Sequence, residues 1–215
     1  MSIRIILADD HEIVRHGLSR SFQHIEDIEV IGHAKDGHST VELVRELAPD
    51  IVVMDIGMPD LNGIEATRQI VKESPRVKVI GLSMHSSNKY VREMFRAGAS
   101  GYLLKDCHFE ELVEAIKTVS GGKTYVSPSI GDMVVKDYVG KPDEASAFSI
   151  LSQREKEVLQ LFAEGKTTKQ VAVRLHISPK TVEVHRLRMM SKLNIDNIAQ
   201  LTKYAIQEGL TQPEP

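Results

Sequence analysis

Three short apolar runs in the first half of this chain each stop on a charged residue. Ile3-Arg4-Ile5-Ile6-Leu7-Ala8 ends at Asp9 and Asp10, Ile51-Val52-Val53-Met54 at Asp55, and Tyr102-Leu103-Leu104 at Lys105. Laid side by side in one sheet, these runs put three carboxylates and one ammonium at the same edge. Such a cluster is costly unless something binds it. A divalent cation balances carboxylates and leaves one free to react, and a lysine suits an anionic group. The simplest chemistry for that set is transfer of a phosphoryl group onto a carboxylate with Mg2+ present.

The runs belong to a longer alternation. The pattern predicts strands over Ile3–Ala8, Glu29–Ala34, Ile51–Asp55, Lys78–Ser83 and Gly101–Leu104, with amphipathic stretches between them. In Thr40-Val41-Glu42-Leu43-Val44-Arg45-Glu46-Leu47, for example, Val41, Val44 and Leu47 share one helical face. Strands that alternate with helices imply βαβ units around a parallel sheet. In such sheets the functional groups gather at the carboxyl ends of the strands, where the charged residues fall. The expected fold class is α/β: a doubly wound, five-stranded parallel sheet, followed by an all-α domain.

Punctuation sets the boundaries. Residues 122–147 hold Ser127-Pro128-Ser129, Gly131 and Gly140-Lys141-Pro142 and read as a linker, with room for a short helix around Ile130–Tyr138. The expected domains are therefore 1–121 and 148–212. The second is helical throughout, with helices expected over Ser152–Ala163, Thr168–Leu175, Pro179–Leu193 and Asn197–Glu208. Ser178-Pro179 is a helix start, serine capping and proline at the first helical position.

Composition narrows the classes. No apolar run in the 215 residues approaches the length of a membrane span, and a single cysteine, Cys107, allows no intrachain disulfide framework. These features favour a cytoplasmic protein. The net charge of -3 is unevenly spread: residues 1–124 carry 15 Lys+Arg against 19 Asp+Glu, and residues 148–215 carry 10 against 7. A basic C-terminal third fits a polyanionic partner, although an ordinary solvated surface has the same charge.

Residues 1–121 resemble the receiver domain of a two-component response regulator, through Asp9-Asp10, Asp55 with the loop Ile56-Gly57-Met58-Pro59-Asp60-Leu61-Asn62-Gly63, Ser83, Gly101-Tyr102 and Lys105. Residues 148–212 resemble the LuxR-type helix-turn-helix, through Leu151-Ser152-Gln153-Arg154-Glu155 and Ile177-Ser178-Pro179-Lys180-Thr181-Val182-Glu183-Val184-His185. Together they point to the NarL/FixJ class of transcription regulators. The resemblance implies a flavodoxin-like receiver in which Asp55 accepts phosphate from a cognate histidine kinase. It implies a Mg2+ site made by Asp9, Asp10, Asp55 and the Gly57 carbonyl. It implies that Lys105 pairs with the phosphoryl oxygens, that Ser83 bonds one of them and that Tyr102 swings inward behind it. Three departures stand out. Lys105 is followed by Asp106 where many receivers have proline. Gly57 offers no side chain to orient a water. Met84 is large for its place and is expected to narrow access, and His85 is free either to contact the phosphate or to face solvent.

In the second domain, Val182, His185, Met189 and Leu193 recur at helical spacing and are expected to pack inward. The candidate contacts to double-stranded DNA are Lys180, Thr181, Glu183, Val184, Arg186, Leu187, Arg188 and Lys192: the basic groups for phosphates, Glu183 for cytosine, and Val184 and Leu187 for thymine methyls. A homodimer on a promoter inverted repeat is the expected assembly. Two rivals carry the same features: a Mg2+-dependent phosphohydrolase with an aspartyl-phosphate intermediate, and a receiver whose helical domain binds protein. Against the first, Gly57 stands where a second acid/base carboxylate would be needed, so no turnover of an external substrate is expected.

Overall fold

The first apolar run becomes β1 (Ile3–Ala8) and leads into α1 (Glu12–Phe22). Then follow β2 (Ile28–Ala34), α2 (Gly37–Leu47), β3 (Ile51–Asp55), α3 (Gly63–Glu73), β4 (Lys78–Ser83), α4 (Asn88–Arg96), β5 (Gly101–Leu104), α5 (Phe109–Ser120) and a two-residue β6 (Tyr125–Val126). This computed structural model describes residues 2–84, 88–131, 150–208 and 210–211. Four of the five predicted strands have the expected bounds, and β2 starts one residue early.

All strand pairs are parallel, in the order β2-β1-β3-β4-β5-β6. The first five follow the flavodoxin-like order, in which crossover connections cover both faces with helices. Alternation along each strand splits the core. Ile6, Ala8, Val52, Met54, Val79 and Tyr102 pack with α2, α3 and α4, and Ile5, Leu7, Val53, Ile80, Leu82 and Leu103 pack with α1 and α5. Burial on both faces explains why these strands read as continuous apolar runs.

The sixth strand corrects the linker that the sequence suggested from residue 122. Tyr125 donates its N–H to the Ser100 carbonyl at 3.1 Å, Ser127 donates to Tyr102 at 3.0 Å, and Ile130 is fully buried. A strand of two residues has no periodicity to detect, and Ser127-Pro128-Ser129 masks it. Residues 128–131 are helical; the rest of the helix expected around Ile130–Tyr138 lies outside the described residues.

The chain divides into two compact units, residues 1–141 and 142–215. The second contains α6 (Gln153–Ala163), α7 (Thr168–Arg174), α8 (Pro179–Leu193) and α9 (Ile198–Glu208) around a core that includes Leu159, Leu161, Val171, Val182, Met189, Leu201 and Ala205. The helix starts are well capped. Ser152 with Glu155 and Thr167 with Gln170 form capping boxes, and Ser178 accepts the Thr181 N–H with Pro179 in the first turn. No helix among the described residues is long and apolar enough to cross a membrane.

Candidate functional site

Sheet order decides which charged residues meet. β1, β3, β4 and β5 are consecutive neighbours, so Asp9, Asp55, Ser83 and Lys105 stand in that sequence along one edge. Backbone bonds fix the ends: Asp9 N–H donates to the Ala34 carbonyl at 3.1 Å, and Lys105 N–H to the Ser83 carbonyl at 2.8 Å. The Lys105 side chain crosses the end of β4. Its Nζ lies 2.7 Å from Asp9 Oδ2 and 2.9 Å from Asp55 Oδ2, with the lysine only 11% exposed. Asp10 is the more exposed carboxylate of the group. Arg15 braces the β1 end by donating to the Asp9 carbonyl.

Glycine lets the β3–α3 loop close over Asp55. Gly63 donates its N–H to the Ile56 carbonyl at 3.0 Å, and a Cβ there would stand 2.0 Å from the Asp55 carbonyl oxygen. Gly37 meets the same loop from the other side, 2.2 Å from the Leu61 carbonyl by the same measure. Neither position has room for a side chain. Asn62 caps α3 by accepting the Glu65 N–H. Gly57 donates its N–H to Asp55 Oδ1 at 3.2 Å, which aims the carboxylate out of the loop.

The charges in this pocket do not balance. Burial pushes the Asp55 carboxyl above its ordinary value. The Lys105 ammonium pulls it down, Asp9 adds to the rise, and burial prevails. Burial alone would pull Lys105 down, but Asp55 and Asp9 outweigh it and hold the ammonium above its ordinary value. One lysine thus faces two carboxylates, Asp9 and Asp55, and Asp10 stands beside them. Among the described residues, Asp9, Asp10, His11 and Asp55 offer ligand atoms that all lie within 4.8 Å of one another. A hard cation with oxygen ligands fits such a donor set and relieves the excess negative charge.

Ser83 and Tyr102 are both buried and share a side-chain hydrogen bond. Tyr102 is fully enclosed, and burial holds its phenol well above its ordinary value, so the hydroxyl stays protonated. Tyr102 lies with its ring inside the core in this conformation. Met84, directly after the last residue of β4, is 72% exposed. His85 lies outside the described residues. The Lys105–Asp106 peptide is trans, as are the others described.

In the helical unit, α7 and α8 form the expected helix pair. On α8, Val182 and Met189 are fully buried, Leu193 packs against the core and His185 is half-buried. Lys180, Val184, Leu187 and Arg188 are exposed on the other side. Four candidate contacts have partners inside the unit. Glu183 accepts the Thr168 hydroxyl at 2.8 Å, and Arg186 Nη1 sits 3.4 Å from the Glu183 carboxylate. Lys192 Nζ is 2.6 Å from Glu155 Oε2, the carboxylate of the α6 capping box. Thr181 is half-buried, its hydroxyl 2.8 Å from that of Ser178.

Residues 5–117 match the response regulator receiver domain family, and residues 149–205 match the bacterial regulatory proteins of the luxR family. The chain belongs to the NarL/FixJ class of two-component response regulators. It is 38% identical over 212 residues to the response regulator UvrY of Escherichia coli K12, which covers 99% of this chain and 97% of that protein. It is 37% identical over 217 residues to the oxygen regulatory protein NreC of Staphylococcus epidermidis, covering 98% and 100%. A solved structure of two RcsB dimers bound to two parallel DNAs aligns with a TM-score of 0.61 at 27% identity, over 97% of this chain and 99% of that one. As a member of this class, the response regulator controls transcription through a DNA-binding LuxR-type domain under two-component signalling.

Sequence reasoning missed two features of this regulator. His11 Nδ1 lies 3.1 Å from Asp9 Oδ1 and 2.9 Å from Asp10 Oδ1. The signal was its place directly after the acidic pair. The Lys192–Glu155 bridge joins residues 37 apart in the chain, and no local pattern announces it.

Proposed function

We propose that Asp55 is the phosphoacceptor and that its phosphorylation by a histidine kinase switches DNA binding. The observation that carries this reading is the single Lys105 ammonium set between Asp9 and Asp55, in a pocket with more carboxylates than it can neutralise. An oxygen of Asp55 attacks phosphorus in line, the new P–O bond forms, and the P–N bond to the donor imidazole breaks. Lys105 then leaves the Asp55 carboxylate for a phosphoryl oxygen. Asp9, Asp10, Asp55 and the Gly57 carbonyl would hold Mg2+, which when bound supplies positive charge against the phosphoryl oxygens.

The Ser83 hydroxyl reads the phosphoryl group and Tyr102 fills the space behind it. Phosphate acts only through its different free energy in two conformations, so it favours the one with this pair drawn inward. The output is a homodimer whose α8 helices enter successive major grooves of an inverted repeat. Lys180, Arg186, Arg188 and Lys192 contact phosphates, and Thr181, Glu183, Val184 and Leu187 face the bases. Kinase phosphate and promoter DNA both meet the chain in the cytoplasm. The pocket serves its own chain and turns over no external substrate.

The test is incubation with acetyl phosphate and Mg2+. One base-labile phosphate per chain is expected, absent from Asp55→Asn. A normally labelled Asn variant would move the acceptor elsewhere. Ser83→Ala should label but lose phosphate-dependent gain in DNA affinity, and an undiminished gain would sink the coupling.

A further inference from the structure

His11 is the pocket residue that the phosphotransfer reading leaves without a task. Its ring and the Lys105 ammonium divide the carboxylate oxygens between them. Lys105 takes Oδ2 of Asp9 and of Asp55, and His11 Nδ1 rests on Oδ1 of Asp9 and Oδ1 of Asp10. The His11 backbone N–H also donates to Asp9 Oδ1, at 2.8 Å, so the turn that presents the carboxylate presents the ring with it. The ring nitrogen therefore lies among the oxygens that the ammonium leaves available. Ligand atoms of His11 and the three aspartates lie within 4.8 Å of one another. Opposite ligands of a first-row divalent cation stand roughly 4–4.4 Å apart, so small side-chain movements suffice to close all four on one ion.

We propose that His11 Nδ1 is a fourth side-chain ligand of the cation in this pocket. It gives the site a preference for a transition cation such as Mn2+ over Mg2+ beyond that of an all-oxygen site. This rests on the reading of the acidic pocket as the cation site. Mg2+ takes oxygen ligands and keeps several waters, whereas imidazole nitrogen binds progressively better along the first-row transition metals. Against two carboxylate oxygens, Nδ1 acts as donor. To ligate, the ring keeps one proton and carries it on Nε2, a change of tautomer that its 67% exposure allows. A ring that only braced the carboxylates by hydrogen bonds would strengthen every divalent cation alike.

Electron paramagnetic resonance of Mn2+ added to the full chain separates these cases. The free-ion signal gives Mn2+ affinity, competition gives Mg2+ affinity, and pulsed measurements on the bound ion detect a directly bonded 14N. The expected result is 14N coupling in wild type that disappears in His11→Gln. That variant should bind Mn2+ roughly tenfold more weakly and Mg2+ within about twofold of wild type. Bound Mn2+ without 14N coupling, or equal losses for both ions, overturns the role of His11. Asp10→Ala guards the underlying reading. Binding that falls in Asp10→Ala but shows no 14N coupling removes His11 alone. Mn2+ binding indifferent to Asp10→Ala removes the cation site and the proposal together.

Discussion

Two lysines in this molecule use the same ingredients to opposite ends. Lys105 in the receiver and Lys192 in the helical unit each hold a buried carboxylate at under 3 Å. Lys192 meets Glu155, whose Oε2 also accepts the N–H and hydroxyl of Ser152 at 2.8 and 2.9 Å. Burial by itself would raise Glu155, but Lys192 and Ser152 outweigh it and hold the carboxyl below its ordinary value. At Asp55 burial prevails, because one ammonium is shared with Asp9. A carboxylate whose lone pairs are satisfied acts as a strut. One left short of positive charge becomes a place for a cation or a reaction.

The largest expected difference follows from removing each lysine. In EDTA at pH 7, Lys105→Met leaves Asp9 and Asp55 facing each other without a counter-charge. The receiver should lose about 3 kcal/mol, the scale for breaking a buried pair. Mg2+ should return much of that loss by binding the folded state more tightly. Lys192→Met leaves Glu155 its two bonds from Ser152, and Lys192 is 37% exposed. Its loss should be about 1 kcal/mol and indifferent to Mg2+. Urea unfolding with peptide-resolved hydrogen exchange separates the two units. Equal losses, or a Lys105→Met variant that ignores Mg2+, would break the contrast.

Half of this contrast was legible in the sequence. Parallel strands buried on both faces appear as apolar runs, and the residue that ends each run must lie at the sheet edge, so Asp9, Asp55 and Lys105 could be placed before any coordinates. Ser83 and Tyr102 were singled out only by the resemblance to receiver domains, and the full burial of Tyr102 depends on α4 packing that no local pattern encodes. The role of Lys192 was hidden. On a helical wheel it is one more basic residue, and its bridge to Glu155 exists only once α6 and α8 are packed together. β6 was hidden for a different reason: pairing with β5 makes two residues a strand where sequence shows only punctuation.

Smaller effects of opposite sign are expected from neutralising the two acids. Glu155 is depressed in the folded state, so its contribution is full above its ordinary value near 4.5 and is lost as pH falls through its lower folded value. Glu155→Gln should cost about 1–2 kcal/mol at pH 7, the scale of a lost cap, and flatten that acid limb. Asp55 is raised in the folded state, so its ionised form opposes folding above that raised value. The penalty fades as pH falls toward its ordinary 3.8. Asp55→Asn should therefore stabilise the metal-free receiver at pH 7, by about 1 kcal/mol, since a buried charge is replaced by a neutral group of the same shape. Stability measured against pH in EDTA checks both signs. A destabilised Asp55→Asn receiver would mean that Lys105 balances the pocket after all.

The smallest effect carries the distinction between occupied and unoccupied charge onto α8, the helix proposed to read DNA. Lys180 and Arg188 are exposed and form no ion pair among the described residues, whereas Arg186 stands beside Glu183 and Lys192 on Glu155. A cation that neutralises a phosphate releases condensed counterions, and each such contact steepens the dependence of log affinity on log salt by about one. A cation already paired within the protein must first give up its carboxylate, so its net contribution is smaller. Arg188→Ala and Lys180→Ala should each lower the slope by about one, and Arg186→Ala by well under one. Val184→Ala should leave the slope alone and relax sequence preference, because an apolar contact in the groove releases no ions. Salt titrations of binding to a selected site give all four values. Equal slopes for Arg188→Ala and Arg186→Ala would mean that DNA displaces Glu183 from Arg186, which would free that carboxylate to accept from a base. Glu183→Gln would then alter base preference as strongly as Val184→Ala. If Arg186 keeps its carboxylate, Glu183→Gln should instead steepen the salt dependence, by releasing Arg186 to the phosphates.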